Sequence, residues 1–418
     1  AFHIAGNSEN LLCQRTAELL GFWCDTASRN VRLQSRQPAC DDLMERTAVG
    51  GGFGGEIAHQ FFVSSNACPF GTADAAFRRQ VGIGTDKTAI QRRSTDQLQK
   101  KTLTRSVFAD DKTHRCGTLG DVVKIGVFEP QTGDNGAGGK QEVLGMQYAN
   151  SLVNTVEVGG KTYKVELVYG DNGSSTDKAP SAASSLVSAG VSVVLGSYGS
   201  GVSMAGGTVF AEAGVPAIGV TCTNPQVTAD CEVYFRICFL DPFQGSVLAK
   251  YAWDNGIKTA YTLAELGNAY DLGLASSFKD AFEKLGGKVI AENFPTNQAD
   301  FTSYITNAKK AGAEAIFAPT STNYAQLIVE QAAAKGANVT LMAGDTWDSN
   351  QVLAAASGKN VDIQVTTFYQ EGGNPEYDKG FKDWINSDPQ NLTNNGGNDI
   401  VAAVSAMGYD AYFVALEA

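Results

Sequence analysis

The chain is 418 residues long and carries a net charge of -12. That length accommodates two or three domains. The acidity argues against a nucleic-acid or anionic-membrane surface as partner, and no apolar run is long enough to cross a bilayer as a helix.

Residues 1–119 differ in composition from the rest. They hold fifteen Lys and Arg against twelve Asp and Glu, and all three His (His3, His59, His114). Eleven of the twelve Arg lie there, with Arg236 alone beyond. From Gly120 onward seventeen basic residues face thirty-two acidic ones, and all fourteen Tyr fall in that part. Stretches such as "GGGFGGE" and "QRRSTDQLQKK" show neither a helical nor a strand period. No basic stretch is followed by the apolar core of a signal peptide. Three readings stay open: a stretch foreign to the following domain, which is preferred, a disordered extension, or a small domain without visible pattern. In each of the first two, residues 1–119 do not pack into the fold beyond them. The start without Met and the end within "YDAYFVALEA" lead to the expectation of a fragment.

From Gly120 the alternation is regular. "VVKIGVF" reads as a buried strand, followed by a Gly-rich loop and a helix around "KQEVLGMQYANSLVN". "KTYKVELVYGD" is a second strand. "DKAPSAASSLVSAG" is a helix with Pro in its first turn and Gly at its end. "VSVVLGS" is the third strand, "VSMAGGTVFAEAG" a helix of small residues, and "VPAIGV" the fourth strand. After "EVYFRICFLDPFQG" the rhythm restarts. Strands are predicted at "TAYTLAE", "KVIAENF", "AEAIFAP" and "VTLMAG". Helices are predicted at "YDLGLASSFKDAFEKLGG", "DFTSYITNAKKAG" and "TNYAQLIVEQAAAKG". "VDIQVTTFYQ" reads as a strand crossing back, before two closing helices. The expectation is an α/β fold of two doubly wound parallel-sheet lobes. Lobe one takes residues 120–240 with 367–418, and lobe two takes 241–366. Ligands of such sheets sit beyond the C-terminal strand ends, so two facing lobes make a cleft.

No catalytic constellation emerges, and an enzyme is not expected. The patterned part has no His, which removes His-based triads and most zinc sites. "GSYGSG" lacks the Lys of a phosphate-binding loop, and the first loop, "FEPQTGDNGAGG", is not a dinucleotide fingerprint. "GDNGSSTD" is acidic, but no Glu closes a calcium loop. Neither cofactor nor metal is expected. Cys222, Cys231 and Cys238 cannot all pair within one molecule. A Cys222–Cys231 bridge is one option, and free buried thiols are the preferred one. The five Cys before Gly120 match no zinc template.

What remains is a set of small polar groups at strand ends. Ser200 follows the third strand, and Thr221 and Thr223 follow the fourth. With the amides of "GSYGSG", Gly199 among them, these hydroxyls suit a carboxylate without a fixed cation. Asp345 in "LMAGDTWDS" lies just past a strand end and suits an ammonium group. Tyr270 in "LGNAYDLG" opens a helix beside it. The competing reading for Ser200, the two Thr and Asp345 is ordinary helix capping. Together the two sets suit a zwitterion held between the lobes.

The stretches "VKIGVFEPQTGDNGAGGKQEVLGMQYA", "VVLGSYGSGVS", "PAIGVTCTNPQVT", "YFRICFLDPFQG", "NAYDLGLASSF" and "LMAGDTWDS", in this order, resemble the type I periplasmic binding proteins. More narrowly, they are similar to the branched-chain amino-acid binding proteins of ABC transporters. The resemblance covers Val122 to the end. It implies two lobes joined by three crossover strands, the third of which would follow Ala418. It also implies a secretory or lipoprotein signal before Val122. Ser200 and Thr223 match the residues that bind the ligand carboxylate, Asp345 the one that binds the amino group, and Tyr270 a pocket Tyr. Two pocket aromatics of the family fall near Gly138 and Ser321, so Tyr198 is expected to point into the cleft instead. The implied partners are an amino-acid ligand and a membrane permease. The implied setting is the periplasm or the outer face of the membrane, with a monomeric protein. A ligand sensor on the same fold is the alternative.

Overall fold

The structure, a computed structural model, describes residues 122–229 and 231–418. The expectation for residues 1–119 lies outside them.

The chain opens with β1 (Val122–Glu129), an apolar run buried towards its C-terminal end, and α1 (Gly136–Leu152). A hairpin follows, β2 (Thr155–Val158) and β3 (Lys161–Asp171), turning at Gly159 and Gly160 with φ of 61° and 81°. Two positive φ values in a two-residue loop require such glycines. β2 was not predicted. It is mostly exposed and depends on its ladder to β3, so no alternation betrays it. Then come α2 (Ala179–Ser188), β4 (Val193–Gly196), α3 (Ser200–Ala213), β5 (Ala217–Gly219), α4 (Gln226–Ala229) and β6 (Tyr234–Arg236).

The second series begins with α5 (Asp241–Asp254), β7 (Thr259–Glu265) and α6 (Ala269–Lys284). α5 was also missed, because buried Asp241 and Gln244 interrupt its apolar face. Asn268 caps α6, its side chain accepting from the N–H groups of Tyr270 and Asp271. The series continues with β8 (Lys288–Phe294), α7 (Thr302–Lys310), β9 (Ala315–Phe317), α8 (Thr322–Ala334), β10 (Thr340–Ala343), a 3-10 turn (Asp345–Trp347), α9 (Asn350–Ala356) and β11 (Asp362–Val365). The helices α10 (Pro375–Asn386), α11 (Pro389–Asn394) and α12 (Ala403–Glu417) close the described chain.

One sheet has the order β2-β3-β1-β4-β5-β6, parallel except for the hairpin. The other has the order β11-β10-β9-β7-β8 and is parallel throughout. Discounting β2, each sheet is wound outward in two directions from its first strand. The switch points fall between β1 and β4 and between β7 and β9, where α/β sheets place their ligands.

Helices cover both faces of each sheet. Phe128, Leu186, Val194 and Phe210 pack α2 and α3 on the first, while α1 lies on the closing helices through Leu144, Tyr148, Phe381 and Ala406. On the second, Leu248, Leu274, Phe278 and Phe317 pack α5 and α6, and Ile305, Tyr324, Ile328 and Trp347 pack α7, α8 and the turn after β10. Two stretches pass between the lobes, residues 237–240 and 366–374. "VDIQVTTFYQ" is therefore a lobe-two strand only to Val365, and its second half carries no ladder. Phe239 and Phe368, one from each crossing, stack at 4.4 Å.

α1 and α12 approach unusually closely. A Cβ on Gly145 would collide with the Ser405 carbonyl oxygen, and one on Gly408 with the Glu142 carbonyl oxygen. Ser405 Oγ donates to the Gln141 carbonyl at 2.7 Å across the same contact. Glycine inside a helix costs about 1 kcal/mol relative to alanine, so close approach is what these two positions require. Gly145→Ala should therefore destabilise the chain, by about 1–3 kcal/mol, despite its better helix propensity. Urea unfolding measures this, and a stabilised variant would show that the contact can open at no cost.

Candidate functional site

The C-terminal strand ends of both lobes border one cleft of about 470 Å³. Tyr198, Gly199, Ser200, Thr221, Tyr270 and Asp345 all line it. Thr223 does not. It is fully buried, its Oγ1 makes no hydrogen bond, and it lies beside the Asp241 carboxyl.

On lobe one, Gly199 occupies the N-cap of α3 with φ 106°, a conformation that favours glycine. Ser200 is thus inside the helix and does not cap it. Its Oγ accepts from the Asn224 N–H at 3.1 Å, which leaves its own O–H to donate. Tyr198 is buried, with its ring over Gly138, where a Cβ would come within 2.6 Å. Its hydroxyl lies beside Thr322 of lobe two. The room beside Gly138 is thus filled by a side chain from the next loop.

Beneath this loop lie two carboxyls that sequence reasoning did not single out. Glu129 ends β1 and Glu142 sits in α1, and both are fully buried. Glu129 Oε2 accepts from the Tyr198 N–H at 2.6 Å. Glu142 Oε2 accepts from Thr221 Oγ1 at 2.7 Å. The two carboxyls are neighbours, and Glu129 Oε1 and Glu142 Oε1 are both buried with no other hydrogen-bond partner. Burial first, and then Glu142, pushes Glu129 well up. Burial pushes Glu142 up to about 8. The only hint in the sequence is an acid placed at the end of an apolar run.

On lobe two, Asp345 opens the turn after β10, but its carboxylate caps nothing. Its Oδ1 accepts from Gln244 Nε2 and from Tyr270 Oη, both at 2.9 Å. Gln244 Oε1 accepts in return from the Asp345 N–H at 2.9 Å. Neither side-chain bond uses Oδ2. Burial raises the Asp345 carboxyl to about 6, against the pull of these two donors. Gln244 is a second residue that the sequence reading missed. Ser321 lines the cleft at the position where the resemblance led to an aromatic. Cys222, Cys231 and Cys238 are all free thiols.

The family described as periplasmic binding protein matches residues 122–418. The chain belongs to that family. As a periplasmic binding protein of type I architecture, it is 32% identical over 255 residues to a Leu/Ile/Val-binding protein homolog 2 of Brucella abortus, covering 60% of this chain and 68% of that one. It is similar to the leucine binding protein LivK of Thermotoga maritima, with 30% identity, a TM-score of 0.64, and coverage of 71% of this chain and 82% of that one. The isoleucine-bound LivJ of Streptococcus pneumoniae aligns with a TM-score of 0.62 and 26% identity, over 71% of this chain and 83% of that one. Solute binding is the business of this family, and the cleft between its lobes is the place for it.

The buried pair sets a pH dependence. Free glutamate titrates near about 4.3, whereas Glu142 is held at about 8. Between these values the folded chain keeps a proton that the unfolded chain has released. Its contribution to stability is complete below the lower value and lost as pH rises through the upper one. The melting temperature should fall between pH 6 and pH 9, and Glu142→Gln should flatten that slope. Identical slopes in calorimetric scans of the two proteins would place the proton elsewhere.

Proposed function

We propose that this protein captures an amino acid between its lobes and delivers it to the membrane permease of an ABC transporter. It does so outside the cytoplasm, as a monomer and without catalysis, with lobe one comprising residues 120–240 and 367–418 and lobe two residues 241–366. The names of the relatives, which bind leucine, isoleucine or valine, support this reading. The observation that carries it is the placing of two groups across the cleft: the Ser200 hydroxyl and the amides of the Gly199 loop on one wall, and on the other Asp345, buried and held by the neutral donors Gln244 and Tyr270. The hydroxyl of Ser200 and the amides from Gly199 onward take the ligand carboxylate, with Thr223 behind them beside the Asp241 carboxyl. Asp345 takes the ammonium group, and Tyr270 and Gln244 orient it. Thr221, tied to Glu142, positions its strand end.

Charge-assisted hydrogen bonds are worth about 1.5–3 kcal/mol each. Removing one partner of a buried ion pair costs about 3–5 kcal/mol. Asp345→Ala should therefore weaken amino-acid binding at least about a hundredfold. Asp345→Asn, which can keep the bond from Tyr270, should lose nearly as much, and Ser200→Ala less than either. Calorimetric titration with the common amino acids reads this out. Unchanged affinity in Asp345→Asn would end the ammonium assignment.

A further inference from the structure

We infer that the ligand is a basic amino acid, whose side-chain cation is held by Glu265 and Asp271 at the end of β7. The inference rests on the amino-acid reading above and adds the side chain to it.

Among the described residues five acidic ones line the cleft, Asp134, Asp177, Glu265, Asp271 and Asp345, and no Lys or Arg does. Three of them, Glu265, Asp271 and Asp345, belong to lobe two and are buried. An α-amino acid with a neutral side chain compensates one of these three. Its ammonium meets Asp345 and its own carboxylate turns to lobe one. Glu265 then stays buried without a cation and Asp271 Oδ1 without any partner, a costly arrangement.

Their existing bonds leave room for one. Glu265 Oε1 accepts from Tyr324 Oη at 3.1 Å and Oε2 from Asn268 Nδ2 at 3.2 Å. Both donors are neutral. Asp271 Oδ2 accepts from the Glu265 N–H at 3.1 Å, and Asp271 Oδ1 is buried with no partner at all. Burial holds the Asp271 carboxyl well above the ordinary range, and the nearby Glu265 adds to this, as expected where no cation is fixed. Among the described residues no three His, Cys, Asp or Glu side chains converge on one metal position. A charge carried on a flexible organic chain fits this spacing better than a metal ion.

The rest of the wall agrees. Its only aliphatic side chains beyond alanine are Val202 and Leu266. A branched aliphatic side chain would lie against hydroxyls, amides and carboxylates, with its hydrophobic gain largely forfeited. Tyr198 occupies the space over Gly138, which directs a ligand side chain towards the β7 loop.

Two matched pairs, each of one basic and one neutral amino acid, test the inference by calorimetry on the full chain. Norleucine is lysine without the terminal ammonium, and citrulline is the neutral counterpart of arginine. In at least one pair the basic member should bind ten or more times tighter. Asp271→Asn, which keeps an acceptor for the Glu265 N–H, and Glu265→Gln, which keeps one of its two acceptor oxygens, should each cut that ratio severalfold. A ratio cancels any general damage to the site. Equal binding within both pairs overturns the inference and leaves the amino-acid reading intact. A basic preference untouched by both variants overturns the assignment to these two carboxyls. If no amino acid binds, the underlying reading has failed, and this one with it.

Discussion

The amide of Gln244 holds the site and the hinge together. Asp345 is a carboxylate buried without a cation, and such a group persists only if donors surround it. Gln244 presents its Nε2 to the carboxylate and its Oε1 to the backbone N–H of the same residue. The same Oε1 also accepts from Thr366 Oγ1. Gln244 lies in the first turn after one crossing between the lobes, and Thr366 begins the other. A rotation of one crossing against the other therefore pulls on the bonds that orient Asp345. The stacked rings of Phe239 and Phe368 join the two crossings a short distance away. Position of the lobes and orientation of the carboxylate are thus not independent variables.

Lobe one solves the opposite problem. On the proposed reading it presents donors to a carboxylate, and among the described residues no Lys or Arg lines this wall, so the donors are bare amides and hydroxyls, and hence Gly and Ser. A loop so poor in side chains has little packing to define its shape. Glu129 supplies the definition by accepting the Tyr198 N–H, and Ser203 adds bonds from the first turn of α3 to Ser197 and to the Gly199 carbonyl. Burial first, and then Glu142, favours the protonated form of the acid that organises the loop. In this way a buried acidic pair shapes the loop without setting a full negative charge beneath the proposed carboxylate site.

β1, β4, β5, β7, β9 and β10 were legible because they are mostly buried and stand out as short apolar runs, whereas the short β6 was not singled out. β2 was not, since it is exposed and held by pairing alone. α5 was not, since its buried face contains Asp241 and Gln244. For Ser200 and Asp345, spacing could not separate binding from capping, which turns on a single residue of helix boundary. The boundary falls at Gly199 for one and at Gly344 for the other. Thr223 was grouped with residues of the wall, yet it lies behind it, against Asp241. Glu142 and Gln244 act on partners 79 and 101 residues away. No local pattern can carry such a pairing, and only the folded chain reveals it.

The two sheets share one winding order, so each lobe brings a switch point to the cleft, and the chemistry differs only in what stands there. The hydroxyl and amides around Ser200 stand on one side, and the three buried acidic side chains of Glu265, Asp271 and Asp345 on the other. Closing the lobes removes water from both walls, which costs little for hydroxyls and a great deal for unpaired carboxylates. A ligand that brings ammonium groups to the second wall offsets that cost only when the cleft is shut. The free energy it supplies is therefore differential between open and closed arrangements, which is the condition for a ligand to shift such an equilibrium. On this argument the carboxylates of lobe two serve two ends at once. They recognise positive charge, and they make closure around anything without it unfavourable.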